Sequence, residues 1–162
     1  VFVVQVGSAA YVPLAARLYL PALWLRDHAD AVATLLPVEQ RRGATKAEIA
    51  LQLLDELRTE CDTVPPLVVE DGYGAATEFR DGLAGRGLAV RDDQPAAVAE
   101  ALQRFEWLRS ALGVDHFEGR TWHGWHHHVS LVLVAYGFLC GEAPSGSFPL
   151  GRSGDPPANG TT

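Results

Sequence analysis

Between Pro65 and Val90 the hydrophobic period changes twice, and this order of signals restricts the fold more than any other part of the chain. Leu67, Val68 and Val69 form a short continuous apolar run after two prolines, stopped by Glu70, Asp71 and the glycines around Tyr73. An unbroken run of this length is the pattern of a strand buried on both faces. Thr77 to Gly85 reads as the return helix, and Leu88 to Val90 as a second short strand. Strand, helix and strand in that order make a parallel crossover, so the expected fold class is α/β. In open α/β sheets chemistry gathers outside the carboxyl ends of the strands, which makes Asp71 the candidate catalytic residue. The competing role for Asp71 is that of a turn aspartate following a strand. Glu70 points to the opposite face if the strand continues that far, so the two carboxylates are not a ready dyad.

The flanking segments supply a sheet edge and helices. Val1 to Val6 and Ala15 to Leu20 are expected strands of a hairpin, joined by a turn containing Gly, Ser and Pro. After Pro21 the segment ALWLRDHADAVATLL is compatible with a weakly amphipathic helix ending before Pro37. Thr45 with Glu48 three residues on forms a capping box, and Ala47, Ala50, Leu51, Leu54 and Leu57 recur at helical spacing, predicting a helix from about Lys46 to Arg58. From Pro95 a further helix carries Val98, Leu102, Phe105, Leu108 and Leu112, with Gly113 as its C-cap. The apolar run Val129 to Cys140 exceeds a typical strand and is read as a helix. Residues 1–142 are expected to form one domain, and the Pro-, Gly- and Ser-rich residues 143–162 a flexible tail.

Composition narrows the function classes. With 162 residues, 48% of them hydrophobic, the chain can bury roughly two-thirds of its unfolded surface. The formal charge of −7, from 13 Lys and Arg against 20 Asp and Glu, weighs against broad electrostatic binding of nucleic acid, so any such contact requires a local basic patch. Cys61 and Cys140 lie far apart without CxxC spacing, which argues against a disulfide scaffold or a thiolate zinc site and fits a reducing cytoplasmic setting. The N-terminal apolar stretch is interrupted by Gln5, Gly7, Pro13 and Arg17, unlike a signal peptide, and the run from Val129 is too short to span a bilayer. The chain begins at Val1 and has no methionine, as expected for an unusual start or a piece of something longer.

His123, His126, His127 and His128 raise the question of a metal site. His123 and His127 would share a helical face, but Gly124 stands where a zinc-protease motif has glutamate, and no cysteine accompanies them. The favoured reading is histidines that pack and hydrogen-bond at the start of a helix, around a turn filled by aromatic side chains.

RLYLP at 17–21, TK at 45–46, VVEDGYG at 68–74, EFRDGLAGRGL at 78–88 and LGVDHFEGRTWHGWHHHVSLVLVAYGFL at 112–139 together resemble the landmarks of bacterial insertion-sequence transposases of the DDE class. The resemblance implies a ribonuclease-H-like fold, a mixed sheet with flanking helices followed by C-terminal helices. It also implies DNA as substrate, and three carboxylates holding two divalent metals such as Mg²⁺ for phosphodiester cleavage and strand transfer. Asp71 matches the second of those carboxylates and would be a metal ligand. The first belongs to a strand preceding the counterpart of Val1 to Val6. The third lies in a Tyr-x2-Arg-x3-Glu-x6-Lys motif; with Arg109 at the lysine position, the other positions fall on Pro95, Val98 and Leu102. Glu100 and Glu106 are close in sequence but turned from the direction of Leu102 by about 160° and 40°, leaving Glu106 as a poor stand-in. Only RDDQ separates Val90 from Pro95, where relatives carry a long segment, so an internal deletion is expected. The implied protein is an incomplete, inactive transposase domain; the alternative is a non-catalytic module that pairs with itself or with an intact transposase.

Overall fold

A computed structural model describes residues 1–6, 11–61, 67, 69, 76–91 and 95–142. Strands β1 (Phe2–Val6) and β2 (Tyr11–Ala16) pair antiparallel. Among the described residues six α-helices follow: α1 (Ala22–Asp27), α2 (Ala29–Leu35), α3 (Lys46–Glu60), α4 (Thr77–Gly85), α5 (Pro95–Leu112) and α6 (Trp122–Glu142). The tail expected at 143–162 lies outside the described residues.

Every residue from Val1 to Val4 is apolar, and successive side chains on a strand point to opposite faces. Val1 and Val3 accordingly join a cluster built on Ala50 and Leu54 of α3 and on Phe79 and Leu83 of α4. Phe2, Val4 and Val6 join the opposite cluster, built on Tyr11, Leu108, Val114, Val132 and Tyr136. The hairpin is thus the middle layer of an α/β arrangement, with α3 and α4 on one face and α5 and α6 on the other. On the second face Phe2 and Phe105 pack with ring centroids 4.9 Å apart, and Leu108 has no exposed surface.

The second strand differs from its expected position, beginning at Tyr11 and ending at Ala16 instead of running from Ala15 to Leu20. Pro13 reads as a turn residue, but here it sits in β2 opposite Val4, beside a register shift between Val3 and Val4. A proline is tolerated at an edge or bulge because no ladder donor is required of it there. The helix expected after Pro21 is broken at His28, which leaves helical geometry with φ −125°. Both the ring Nδ1 and the backbone N–H of His28 bond the carbonyl oxygen of Trp24. Leu25, Val32 and Leu36 form a third, smaller cluster with Trp24 and Trp122.

The helix from Lys46 forms as its capping box requires: the Glu48 amide donates to Thr45 Oγ1 and the Thr45 amide to Glu48 Oε2. Two arginine forks hold α3 in place. Arg17 donates to both carboxylate oxygens of Glu56, at 2.6 and 2.8 Å, and Arg86 donates to both oxygens of Asp55, each at 2.7 Å. The C-cap expected at Gly113 is present, with φ 72°.

The histidine segment is helical, not the turn expected from Gly124. Thr121 accounts for this: its Oγ1 accepts from the Gly124 amide and its carbonyl from the Trp125 amide, so α6 starts ahead of the histidines. His126 Nδ1 bonds the Trp122 carbonyl, and its ring lies between Trp122 and Trp125. His128 Nε2 donates to the Gly113 carbonyl at 2.9 Å, tying α6 to the end of α5. These two histidines pack and hydrogen-bond as the sequence suggested. Farther along α6, the Tyr136 hydroxyl donates to the Tyr11 carbonyl at 2.7 Å, and burial pushes the Tyr11 phenol up to about 12.

Two outcomes follow from this packing. Tyr136→Phe keeps the ring but leaves a buried carbonyl short of a donor, and is expected to cost about 1–2 kcal/mol in urea unfolding with an unchanged slope. Burial pushes the half-buried His126 imidazole below its ordinary range, partly opposed by the Trp122 carbonyl. A depressed folded pKa means that its contribution is intact above the unfolded value of about 6.5 and is lost as pH falls through the folded value. The urea midpoint should therefore fall less between neutral and mildly acidic pH in His126→Asn than in the parent chain; an equal fall in both would contradict the assignment.

Candidate functional site

Of the crossover that the apolar periods suggest, the described residues hold the helix α4 and a single parallel bridge, without named strands on either side. The Leu67 amide donates to Ala89 and the Arg91 amide to the Leu67 carbonyl, each at 2.8 Å, giving a parallel bridge between Leu67 and Val90. Leu67, Val69, Leu88 and Val90 all pack against the cluster centred on Phe79 and Leu83, so α4 returns the chain over the strand it left. Both pairing senses of the expected mixed sheet occur, but among the described residues the antiparallel hairpin and the parallel bridge are not joined into one sheet. Asp71, the candidate catalytic and metal-binding residue, and Glu70 lie outside the described residues.

The described carboxylates on α5 are engaged elsewhere. Glu106, the substitute for the third carboxylate, accepts from Arg109 at 3.0 Å, and the same guanidinium bonds Asp115. Both acids hold Arg109 in its charged form, Asp115 most strongly through its hydrogen bond. Glu100 pairs with Arg104 one turn on. Leu102, at the position the resemblance assigns to the glutamate, is 49% exposed. Helix α5 lies on the Phe2, Val4 and Val6 face of the hairpin, whereas Leu67 and Val69 belong to the Val1 and Val3 face.

No group of three or more His, Cys, Asp or Glu side chains converges among the described residues, so these residues supply no donor set for a pair of metal ions. No helix among them is long and apolar enough to cross a membrane.

One feature was missed in reading the sequence. Tyr19, Ala22, Arg42, Gly43, Ala44, Thr45 and Glu48 line an open cleft of about 170 Å³ where the chain enters α3. The Lys46 ammonium lies 5.5 Å from the centroid of the Tyr19 ring. The signal was available in the run RRGATK, which places three cations within six residues of an acidic chain.

Comparison with curated proteins and with solved structures finds no match. A family model described as DDE superfamily endonuclease matches residues 1–93, from the hairpin through the crossover. It leaves α5 and α6 outside, so the resemblance of 112–139 is not tested by it. Members of this superfamily use divalent metals and act on DNA, and on a match that covers more than half its length, this chain belongs to the DDE superfamily endonucleases.

Proposed function

We propose that the chain is a DDE transposase domain of bacterial insertion-sequence type, with a partial ribonuclease-H-like core, that does not itself cut or join DNA. The observation that carries this reading is the parallel bridge at Leu67 and Val90, packed on α3 and α4. It agrees with the parallel crossover expected from the sequence, in which the segment from Leu67 runs toward Asp71, the carboxylate that the resemblance makes catalytic and metal-binding. In-line displacement at phosphorus by two metals needs a symmetric clamp of oxygen ligands around ions about 4 Å apart. Ions so close repel strongly unless several carboxylates offset their charge. Glu106 is tied to Arg109, and Leu102 has no oxygen to offer. Without an oxygen ligand at the third position, Asp71 lacks a partner needed to position the pair. Two free cysteines, Cys61 exposed and Cys140 half-buried, accord with a reducing cytoplasmic location.

A second reading is an interaction module that pairs with another copy or with an intact transposase. It is favoured by the outer face of α6, where Leu131, Val134 and Phe138 are exposed at helical spacing.

The purified chain should neither nick nor join DNA in Mg²⁺ or Mn²⁺, and Asp71→Asn should leave that result unchanged. Metal-dependent nicking by the parent chain that disappears in Asp71→Asn would refute the inactive reading.

A further inference from the structure

We propose that the loop from Arg41 to Lys46, together with Tyr19, is a contact surface for the phosphate backbone of duplex DNA. This rests on the reading of the chain as a DNA-acting domain and assigns that domain a surface the resemblance does not supply.

Charge sets this loop apart. Arg17, Arg26, Arg86, Arg104 and Arg109 are each spent on a carboxylate. Arg42 and Lys46 are exposed and make no ion pair with the described residues. Arg41 is exposed as well; its guanidinium donates to the carbonyls of Ala33 and Leu36, which are neutral acceptors and leave its charge uncompensated. Glu48 also lines the cleft, but its carboxylate is turned to the Thr45 amide, which holds it below the usual carboxylate range. Glu39 precedes the loop. In a chain of charge −7 these three cations are a local exception.

The loop is also rigidly held. Arg41 is anchored to the end of α2, Thr45 is fixed by the capping box, and Gly43 between them has φ 74°. A Cβ on Gly43 would stand 2.7 Å from Leu25 Cδ1, so the loop is pressed against α1. Arg42 is therefore presented from a fixed backbone, and Lys46 from the first turn of α3 above the Tyr19 ring. Ordering such groups on a ligand costs less than ordering cations on a free loop. The open cleft beside Arg42, which Tyr19 also lines, gives a phosphodiester room to approach, and the Arg42 fork suits two of its oxygens.

The test is fluorescence anisotropy of a short labelled duplex with the full chain, in Ca²⁺-free and Mg²⁺-free buffer, across a salt series. Each phosphate contact strengthens binding by about tenfold at about 50 mM salt and adds about 0.9 to the logarithmic salt slope. Arg42→Ala with Lys46→Ala should weaken binding about a hundredfold and lower the slope by about two, with the circular dichroism spectrum unchanged. Arg58→Ala with Arg120→Ala, which removes the same charge elsewhere, should weaken it far less. Equal loss in the two double variants, parent-like binding by the first, or no binding by the parent chain would each overturn the proposal. Product formation decides the catalytic reading separately, so binding unaffected by Arg42 and Lys46 would remove this surface and leave that reading in place.

Discussion

The fold depends on a strand that is apolar on both sides. Alternating side chains of β1 enter two separate clusters, Val1 and Val3 toward α3 and α4, and Phe2, Val4 and Val6 toward α5 and α6. A strand that packs on both faces cannot slip by one residue without exchanging its side chains between differently shaped cores. Register is therefore set from both sides, and the bulge beside Pro13 accommodates β2 to a partner that cannot move. The clamp from Tyr136 to the Tyr11 carbonyl joins the C-terminal helix to the same hairpin.

Local signals were legible wherever a few neighbouring residues decide the outcome. Thr45 and Glu48 fix the start of α3, Gly113 ends α5, and the period change at Leu67 with the return through Thr77 foretells α4 and the parallel bridge of Leu67 with Val90. Positions decided by distant residues were not legible. Pro13 alone means a turn; only the strand opposite shows that its missing N–H does no harm at a bulge. Gly124 among histidines also reads as a turn, because the capping role of Thr121 is visible only when its hydroxyl is seen to meet the Gly124 amide. The helix after Pro21 has too weak an amphipathic pattern to reveal that His28 bonds back to Trp24 and breaks it.

The same contrast governs the candidate site. Histidine density is conspicuous in sequence, yet His126 and His128 spend ring nitrogens on the carbonyls of Trp122 and Gly113, and their rings on aromatic neighbours. The run RRGATK is inconspicuous beside them, because three cations mean little until Arg17, Arg26, Arg86, Arg104 and Arg109 are found paired with carboxylates. A residue type is a weak guide to chemistry until its hydrogen bonds are assigned.

A clamp of carboxylates is a costly arrangement for a fold to keep once its metals are not needed. Like charges brought together repel, and the ions offset that repulsion only while all ligands are present. The position assigned to the third carboxylate, Leu102, is half-exposed, so exchanging glutamate for leucine there disturbs no buried contact of α5. Leu108, the fully buried residue of the same helix, has no such freedom. Groups at the exposed faces of an element are therefore freer to change than the buried residues that hold the elements together, and the described charges on α5 form a surface network of Glu106, Arg109 and Asp115.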